Sequence, residues 1–441
     1  MELYPHQQVA YDLAKPMDFT ILAMKMRTGK TPVACRLSIE YPRPLLIVCP
    51  AAISKIWTRE MKLWADTEVD AVKKVTTEDD IYVEYVRNHP KTGTLESKQF
   101  KALHKTSCIG LDVVITSYDS LSDIDFEPKS IIFDEVHRLK TPEAKRTIIA
   151  TEFIKKADKV LCLSGTPIPN RPIEIWPILS ATGATELSWF AFAKKYANAY
   201  QNYFGQWDVR GSSNEAELRE LLDPHMIVMD REEIGGYRNK VMTVKALDLP
   251  VDEREKQFNL EDIVSEASPE GFDGLAEILR MQGEKKAEMY KDDIACLLSM
   301  GEAIIVFVHH KAVASMLEEA LEDYNPVKIV GGQSATRTLK SIDSFQSGET
   351  NLIICNIQAA SEGVTLSRAD RVIMLEASWI PGTIEQASDR GIIRDDSMEP
   401  LEVDILTIHN SIDEYVLRRA LEKTVVINKV MPKHIKTKKG A

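Results

Sequence analysis

Short apolar runs alternate with longer amphipathic stretches along most of the chain. In the first half the runs are Phe19–Met24 (FTILAM), Leu45–Cys49 (LLIVC), Asp112–Thr116 (DVVIT), Ser130–Phe133 (SIIF) and Val160–Ser164 (VLCLS). They are rich in β-branched residues and apolar at consecutive positions, as strands buried on both faces of a parallel sheet must be. The stretches between them, such as Ser54–Ala65 and Pro142–Lys155, have helical composition. This βαβ rhythm predicts a doubly wound α/β domain. It lapses from about Thr185 to Leu222, where the chain turns aromatic and polar. It then resumes with Ala303–Val308, Val327–Val330, Asn351–Cys355, Arg371–Leu375 and Val403–Leu406. The pattern predicts two α/β domains separated by a helical segment. The best local breaker between them is Gly235–Asn239 (GGYRN).

The 441 residues suit two to four domains at roughly 100–200 residues each. The composition, 44% hydrophobic and 28% charged, excludes collagen-like, mucin-like and disordered chains. The formal charge of −12 argues at first against a nucleic-acid partner. The charge is unevenly spread, however. Val251–Glu302 holds 14 acids against 6 bases, and the chain from Lys423 onward carries lysines and no acid. Six cysteines form no CxxC pair and suit a reducing cytosol. The opening MELYPHQQ lacks the apolar core of a signal peptide, and no apolar run approaches the ~18 residues of a membrane span. A cytoplasmic protein is expected.

Three motifs carry chemistry. Arg27-Thr28-Gly29-Lys30-Thr31 follows one apolar run and precedes a helical stretch. Strand, glycine loop, Lys, Thr and helix together make a phosphate cradle. Loop N–H groups and the helix N-terminus meet the oxyanions, Lys30 reaches the β/γ-phosphates, and the Thr31 hydroxyl holds Mg²⁺. The strict pattern places glycine where this chain has Met24. Ile131-Ile132-Phe133-Asp134-Glu135-Val136-His137 ends an apolar strand in two carboxylates. Asp134 can hold Mg²⁺, and Glu135 can orient or deprotonate an attacking water. Ser164-Gly165-Thr166-Pro167 closes the next strand and alone would read as a turn.

In this order the trio resembles the superfamily-two helicase-like ATPases, and within them the Swi/Snf-type branch of double-stranded DNA translocases. The resemblance runs from Leu3 to about Glu422. It implies two tandem RecA-like doubly wound parallel-sheet lobes with a helical insertion: lobe one over 1–234 with the insertion at about 185–222, a hinge at 235–250, lobe two over 251–425 and a basic tail at 426–441. Leu3-Tyr4-Pro5-His6-Gln7 resembles the motif whose glutamine reads adenine, which nominates Gln7. Arg27, Thr28, Gly29, Lys30, Thr31, Gly363 and Gln386 are then the ATP-binding set, with Mg²⁺ on Thr31 and Asp134. His137, Ser164, Gly165 and Thr166 would couple hydrolysis to movement. By the same resemblance Pro50, Ser54, Thr116, Ser117, Tyr118, His309, Lys311, Ser361 and Thr365 face DNA. Lys30, Asp134, Glu135, Arg390 and Arg394 form the catalytic set, in a cleft between the lobes.

Glu376-Ala377-Ser378-Trp379, and Gly205-Gln206-Trp207 followed by Gly211-Ser212-Ser213-Asn214, look like the annealing-helicase subgroup. The chain is similar in size to compact bacteriophage branch-migration helicases. The implied output is remodelling of duplex, forked or Holliday-type DNA by a monomeric motor in a bacterial or phage-infected cytoplasm. Three departures stand out. Arg27 replaces the family's usual glycine. Arg390 and Arg394 are one residue further apart than the family's pair. Met229-Asp230-Arg231 replaces a basic pair before the linker. Two other readings stay open: an RNA helicase of the same superfamily, and a DNA-binding scaffold with a degenerate ATP site. Three minor features have bland readings beside the sharp ones. His309-His310 lacks a third metal ligand at useful spacing. The aromatic run from Trp189 to Trp207 either stacks on bases or packs an insertion. The lysine tail either tracks phosphates or is solvated.

Overall fold

The computed structural model describes residues 2–64, 106–107, 113–202, 205, 207–248, 269–357, 366–376, 378–396 and 398–432. The chain divides into two units. One comprises Met1–Gly235 together with Val426–Ala441, and the other Gly236–Val425.

In the first unit, helix α1 (Pro5–Ala14) leads into β1 (Phe19–Met24), α2 (Lys30–Glu40), β2 (Leu45–Cys49) and α3 (Ser54–Trp64). Strands β3 (Val113–Ser117) and β4 (Ser130–Asp134), helix α4 (Lys145–Ile154) and strand β5 (Lys159–Leu163) follow. The sheet is completed by β6 (Met226–Met229), in the order β6-β1-β5-β4-β2-β3, and every pairing is parallel. All residues of β1, β2 and β4 are buried, which is why these strands read as continuous apolar runs. One cluster centred on Ile21, Val48, Phe133 and Cys162 packs one face, and another centred on Leu22, Ile47, Trp57 and Leu161 packs the other.

The segment expected as an insertion contains α5 (Trp189–Tyr196), a short antiparallel pair of Tyr200–Gln201 with Trp207–Asp208, and α6 (Glu215–Leu222). Its Phe192, Ala193, Tyr196, Leu218 and Leu222 belong to the same core cluster as β1 and β5. The segment is therefore built into the first unit's core. Phe190 and Tyr200 stay largely exposed, and Phe190 packs edge-on against Trp207.

The second unit opens on β7 (Lys240–Leu247), followed by α7 (Pro269–Ser299), β8 (Ile304–Val308) and α8 (Lys311–Ala320). Strand β9 (Val327–Ile329), helix α9 (Ala335–Ser347), strands β10 (Leu352–Asn356) and β11 (Arg371–Met374), and helix α10 (Pro381–Ser388) come next. Strand β12 (Leu401–Ile408) and helix α11 (Ile412–Val430) close the chain's described part. The sheet order is β7-β12-β11-β8-β10-β9, again all parallel. Both units are thus parallel-sheet α/β lobes. Residues 426–430, read from sequence as the start of a tail, continue α11, and Val430 is fully buried in the first unit's core. The rest of the lysine-rich segment, from Lys433, lies outside the described residues, as do 251–268 of the acidic stretch. Among the described residues no helix is long and apolar enough to cross a membrane.

Candidate functional site

The loop between β1 and α2 turns through two left-handed residues, Arg27 at φ 65° and Gly29 at φ 91°. Gly29 must be glycine on a second count: a Cβ there would lie 1.9 Å from Gln7 Nε2. Gln7 and His6, both buried, brace the loop from α1. Gln7 Nε2 donates to the Thr28 carbonyl at 3.2 Å, and His6 Nε2 lies 2.8 Å from the same oxygen. Gln7 Oε1 accepts from the Tyr4 N–H at 3.0 Å. Thr28 is buried and its hydroxyl donates to the Lys25 carbonyl. Lys30 opens α2, with Thr31 next to it. The Lys30 ammonium folds back onto the Met24 carbonyl at 2.8 Å. Burial lowers its pKa, and Glu135 and Asp134 oppose that shift.

β4 delivers Asp134 and Glu135 beside this loop. Asp134 is buried and accepts from Trp57 Nε1 at 2.8 Å and from the Glu135 N–H at 3.0 Å. Burial first, then repulsion from Glu135, raises its pKa to about 6 despite the Trp57 bond and Lys30. Glu135 itself is left-handed, at φ 54°, a conformation that costs a non-glycine residue and concentrates at functional sites. Its carboxylate lies 3.3 Å from His137 Nδ1, and that nitrogen lies 3.2 Å from Ser164 Oγ. Ser164 Oγ accepts from the Thr166 N–H at 3.1 Å. The expected coupling residues His137, Ser164 and Thr166 therefore form one connected chain from Glu135, with Gly165 inside it.

These residues fit a nucleotide with its metal. The loop is shaped for an anion at the start of an eleven-residue helix. The two adjacent carboxylates carry negative charge that burial penalises and that a divalent cation would relieve.

The residues expected to face DNA fare unevenly. Ser54 starts α3 and its hydroxyl donates to the Ala51 carbonyl. Ser117 is partly buried at the end of β3 and donates to Ser120 Oγ. Pro50 and Thr116 are buried. Tyr118 corrects the expectation: it is 2% exposed, and its hydroxyl donates to the Asp134 carbonyl at 2.7 Å. Its phenol is a support of the carboxylate strand with no face left for DNA.

In the second unit, His309, His310 and Lys311 form the turn from β8 into α8. His309 and Lys311 reach solvent, and partial burial followed by His310 lowers the His309 pKa. Arg390 is 3% exposed, inside a short turn against Leu366 and Leu401, whereas Arg394 is exposed with its guanidinium 5.9 Å from the Tyr237 ring. The widened spacing thus separates an internal arginine from a surface one. Gln386 lies partly buried on α10. Gly363, Ser361 and Thr365 lie outside the described residues.

Sequence reasoning missed four contributors. Trp57 was legible only as the end of a motif, His6 only as Gln7's neighbour. Arg231 is close enough to Lys30 to help lower its pKa, yet it sat among residues read as a departure. Glu376 was noted only as part of a subgroup signature.

The parallel lobe with Lys30 at a helix start and Asp134–Glu135 at a strand end defines the class. The chain belongs to the SNF2-related domain family, which matches residues 13–288, and the helicase conserved C-terminal domain matches 286–392. Among relatives, it is 28% identical over 393 residues to the DNA annealing helicase and endonuclease ZRANB3 of Bos taurus, covering 84% of this chain and 35% of that one. It is 27% identical over 434 residues to the SWI/SNF-related matrix-associated actin-dependent regulator of chromatin subfamily A-like protein 1 of Xenopus tropicalis, covering 92% and 42%. The chain thus spans well under half the length of these relatives. The solved Hef helicase domain of Pyrococcus furiosus superposes with a TM-score of 0.51 at 14% identity, covering 94% of this chain and 97% of that one, and shares the fold.

Proposed function

We propose that this protein is a DNA-dependent ATPase that translocates on double-stranded DNA and remodels branched or forked substrates. The observation that carries the reading is the buried Asp134–Glu135 pair beside Lys30, linked through His137 to Ser164 and Thr166. The kinship with proteins named as annealing helicases supports the kind of output.

Lys30, Thr31 and the N–H groups of the loop would hold the phosphates of ATP, with Thr31 and Asp134 as ligands for Mg²⁺. When bound, ATP with Mg²⁺ supplies the phosphoanhydride and the charge neutralisation its cleavage needs. Gln7, fixed by Tyr4 and Thr28, would read the base. Lys30 leaves the Met24 carbonyl for phosphate oxygens. Glu135 orients the attacking water and takes its proton on a carboxylate oxygen. His137 senses that carboxylate on one side and passes the change to Ser164 on the other. His309 and Lys311 would meet the phosphate backbone, which fixes position without reading sequence. With the acidity concentrated in residues 251–302, a modest and salt-sensitive grip follows.

The test is ATP hydrolysis measured without DNA and with single strands, duplex and forks. Stimulation by duplex and forks above single strands is expected, and equal rates in all four would sink the reading. Lys30→Ala should abolish turnover.

A further inference from the structure

Glu376 lies just beyond β11 and is 4% exposed. Its Oε2 accepts from the backbone N–H of His309 at 2.7 Å and of His310 at 2.9 Å. Its Oε1 lies 2.6 Å from His310 Nδ1. The His309 carbonyl is held from another strand, accepting from Asn356 Nδ2 at 2.5 Å. One residue's N–H and C=O are thus clamped by the ends of β11 and β10. The clamped residue lies where β8 gives way to α8, at the carboxyl ends of parallel strands, where open α/β sheets bind their ligands. His310 is the N-cap of α8 but makes no side-chain cap, so the carboxylate of Glu376 holds this helix start instead.

The third wall is a glycine. Gly283 sits inside the 31-residue helix α7, where glycine costs about 1 kcal/mol relative to alanine. A Cβ there would lie 2.5 Å from Glu376 Oε1 and 2.8 Å from its Cδ. The helix gives up intrinsic stability at that position and gains room for the carboxylate.

We propose that Glu376 is a positioning residue. Seated against Gly283, it fixes the His309–His310–Lys311 turn in the shape that presents His309 and Lys311 to the DNA backbone. This rests on the DNA-motor reading above. Glu376 touches neither DNA nor nucleotide in this role. What it supplies is an acceptor oxygen at a fixed place, and its charge is secondary. The isosteric amide should therefore serve, with its oxygen taking both N–H groups and its nitrogen donating to an unprotonated His310 Nδ1.

The experiment uses the full chain and reads ATP hydrolysis against duplex DNA concentration, with DNA-free hydrolysis and thermal melting alongside. Gly283→Ala and Glu376→Asp are expected to raise the half-saturating DNA concentration about tenfold, the worth of one displaced charge-assisted hydrogen bond. Maximal and DNA-free rates should hold, and Gly283→Ala should not melt earlier. Glu376→Gln should stay within about twofold of the unmodified protein in half-saturation. If Gly283→Ala does melt earlier, the contrast between Glu376→Asp and Glu376→Gln decides alone. Unchanged half-saturation in Gly283→Ala and Glu376→Asp, or a fall in maximal rate without a change in half-saturation, overturns the proposal. An unmodified protein with no DNA stimulation overturns the motor reading itself, a result distinct from either.

Discussion

The indole N–H of Trp57 donates to Oδ2 of Asp134 at 2.8 Å, tying helix α3 to the end of strand β4. Ser54, the first residue of that helix, was expected to face DNA, and Asp134 to hold the metal. The bond is thus a direct physical link between the two expected surfaces, and it lowers the pKa of Asp134 against the effects of burial.

Trp57→Phe keeps the ring in its buried slot and removes the donor. The Asp134 carboxylate then loses one of its two protein hydrogen bonds, and its charged form becomes less favourable. Half-saturating Mg²⁺ for ATP hydrolysis should rise about tenfold, as when a ligand's supporting partner is lost. A magnesium titration of the steady-state rate checks this.

Gly29→Ala forces a side chain onto Gln7 and into a left-handed backbone. The cradle cannot keep its shape with a Cβ 1.9 Å from Gln7 Nε2. ATP affinity, followed with a fluorescent nucleotide, should fall at least about tenfold, and stability should drop by about 1 kcal/mol or more.

Arg27 is the opposite case. It holds a left-handed conformation that L-residues adopt at a cost of about 1–2 kcal/mol. Arg27→Gly relieves that strain and loses part of the gain to the freer unfolded chain. A net stabilisation of up to about 1 kcal/mol in urea unfolding is expected, with ATP hydrolysis retained.

Arg390 and Arg394 should separate in assay. Arg390→Ala opens a buried site in the second unit and should lower the melting temperature of the chain. Arg394→Ala changes an exposed residue and should leave melting unaltered. If Arg394 is the arginine that stabilises the transition state, turnover falls by roughly 10³-fold or more at saturating ATP. Turnover that survives Arg394→Ala would leave that role to Arg390.

Burial raises the pKa of the Cys35, Cys162 and Cys355 thiols, that of Cys355 to about 12. In the unfolded chain such thiols ionise near pH 8.5. Their stabilising contribution is therefore complete below about pH 8.5 and is lost as pH climbs toward the folded values. Denaturant midpoints should fall between pH 8.5 and 10.5. At pH 8, alkylation followed by peptide mapping should label exposed Cys296 and spare these three.

Buried strands were the most legible part of the sequence. Phe19–Met24 and Leu45–Cys49 match their apolar runs to the residue, because both faces of a parallel sheet exclude polar side chains. The two sheet-edge strands β6 and β7 were not anticipated. Lys240–Leu247 leaves Val241, Met242 and Val244 exposed and mixes lysine and threonine among them, so neither continuous nor alternating burial marks it. Met226–Met229 is fully buried, but it follows the aromatic segment where the βαβ rhythm breaks. The phosphate-cradle and carboxylate motifs were readable because their chemistry sits on neighbouring residues. Their supports were not. Trp57 to Asp134, Gln7 to Gly29 and Glu376 to His309 each span a separation in chain that only the folded sheet closes.

The first unit owns both chain ends. Its core holds Ile21 near the start and Val430 near the finish, with all of Gly236–Val425 between them. In chain order the second unit is an insertion within the first. During synthesis, then, the nucleotide loop is made early, but the core beneath it cannot close until about two hundred further residues have left the ribosome. A nascent chain arrested at Val425 would carry every motif and still lack a piece of its first hydrophobic core.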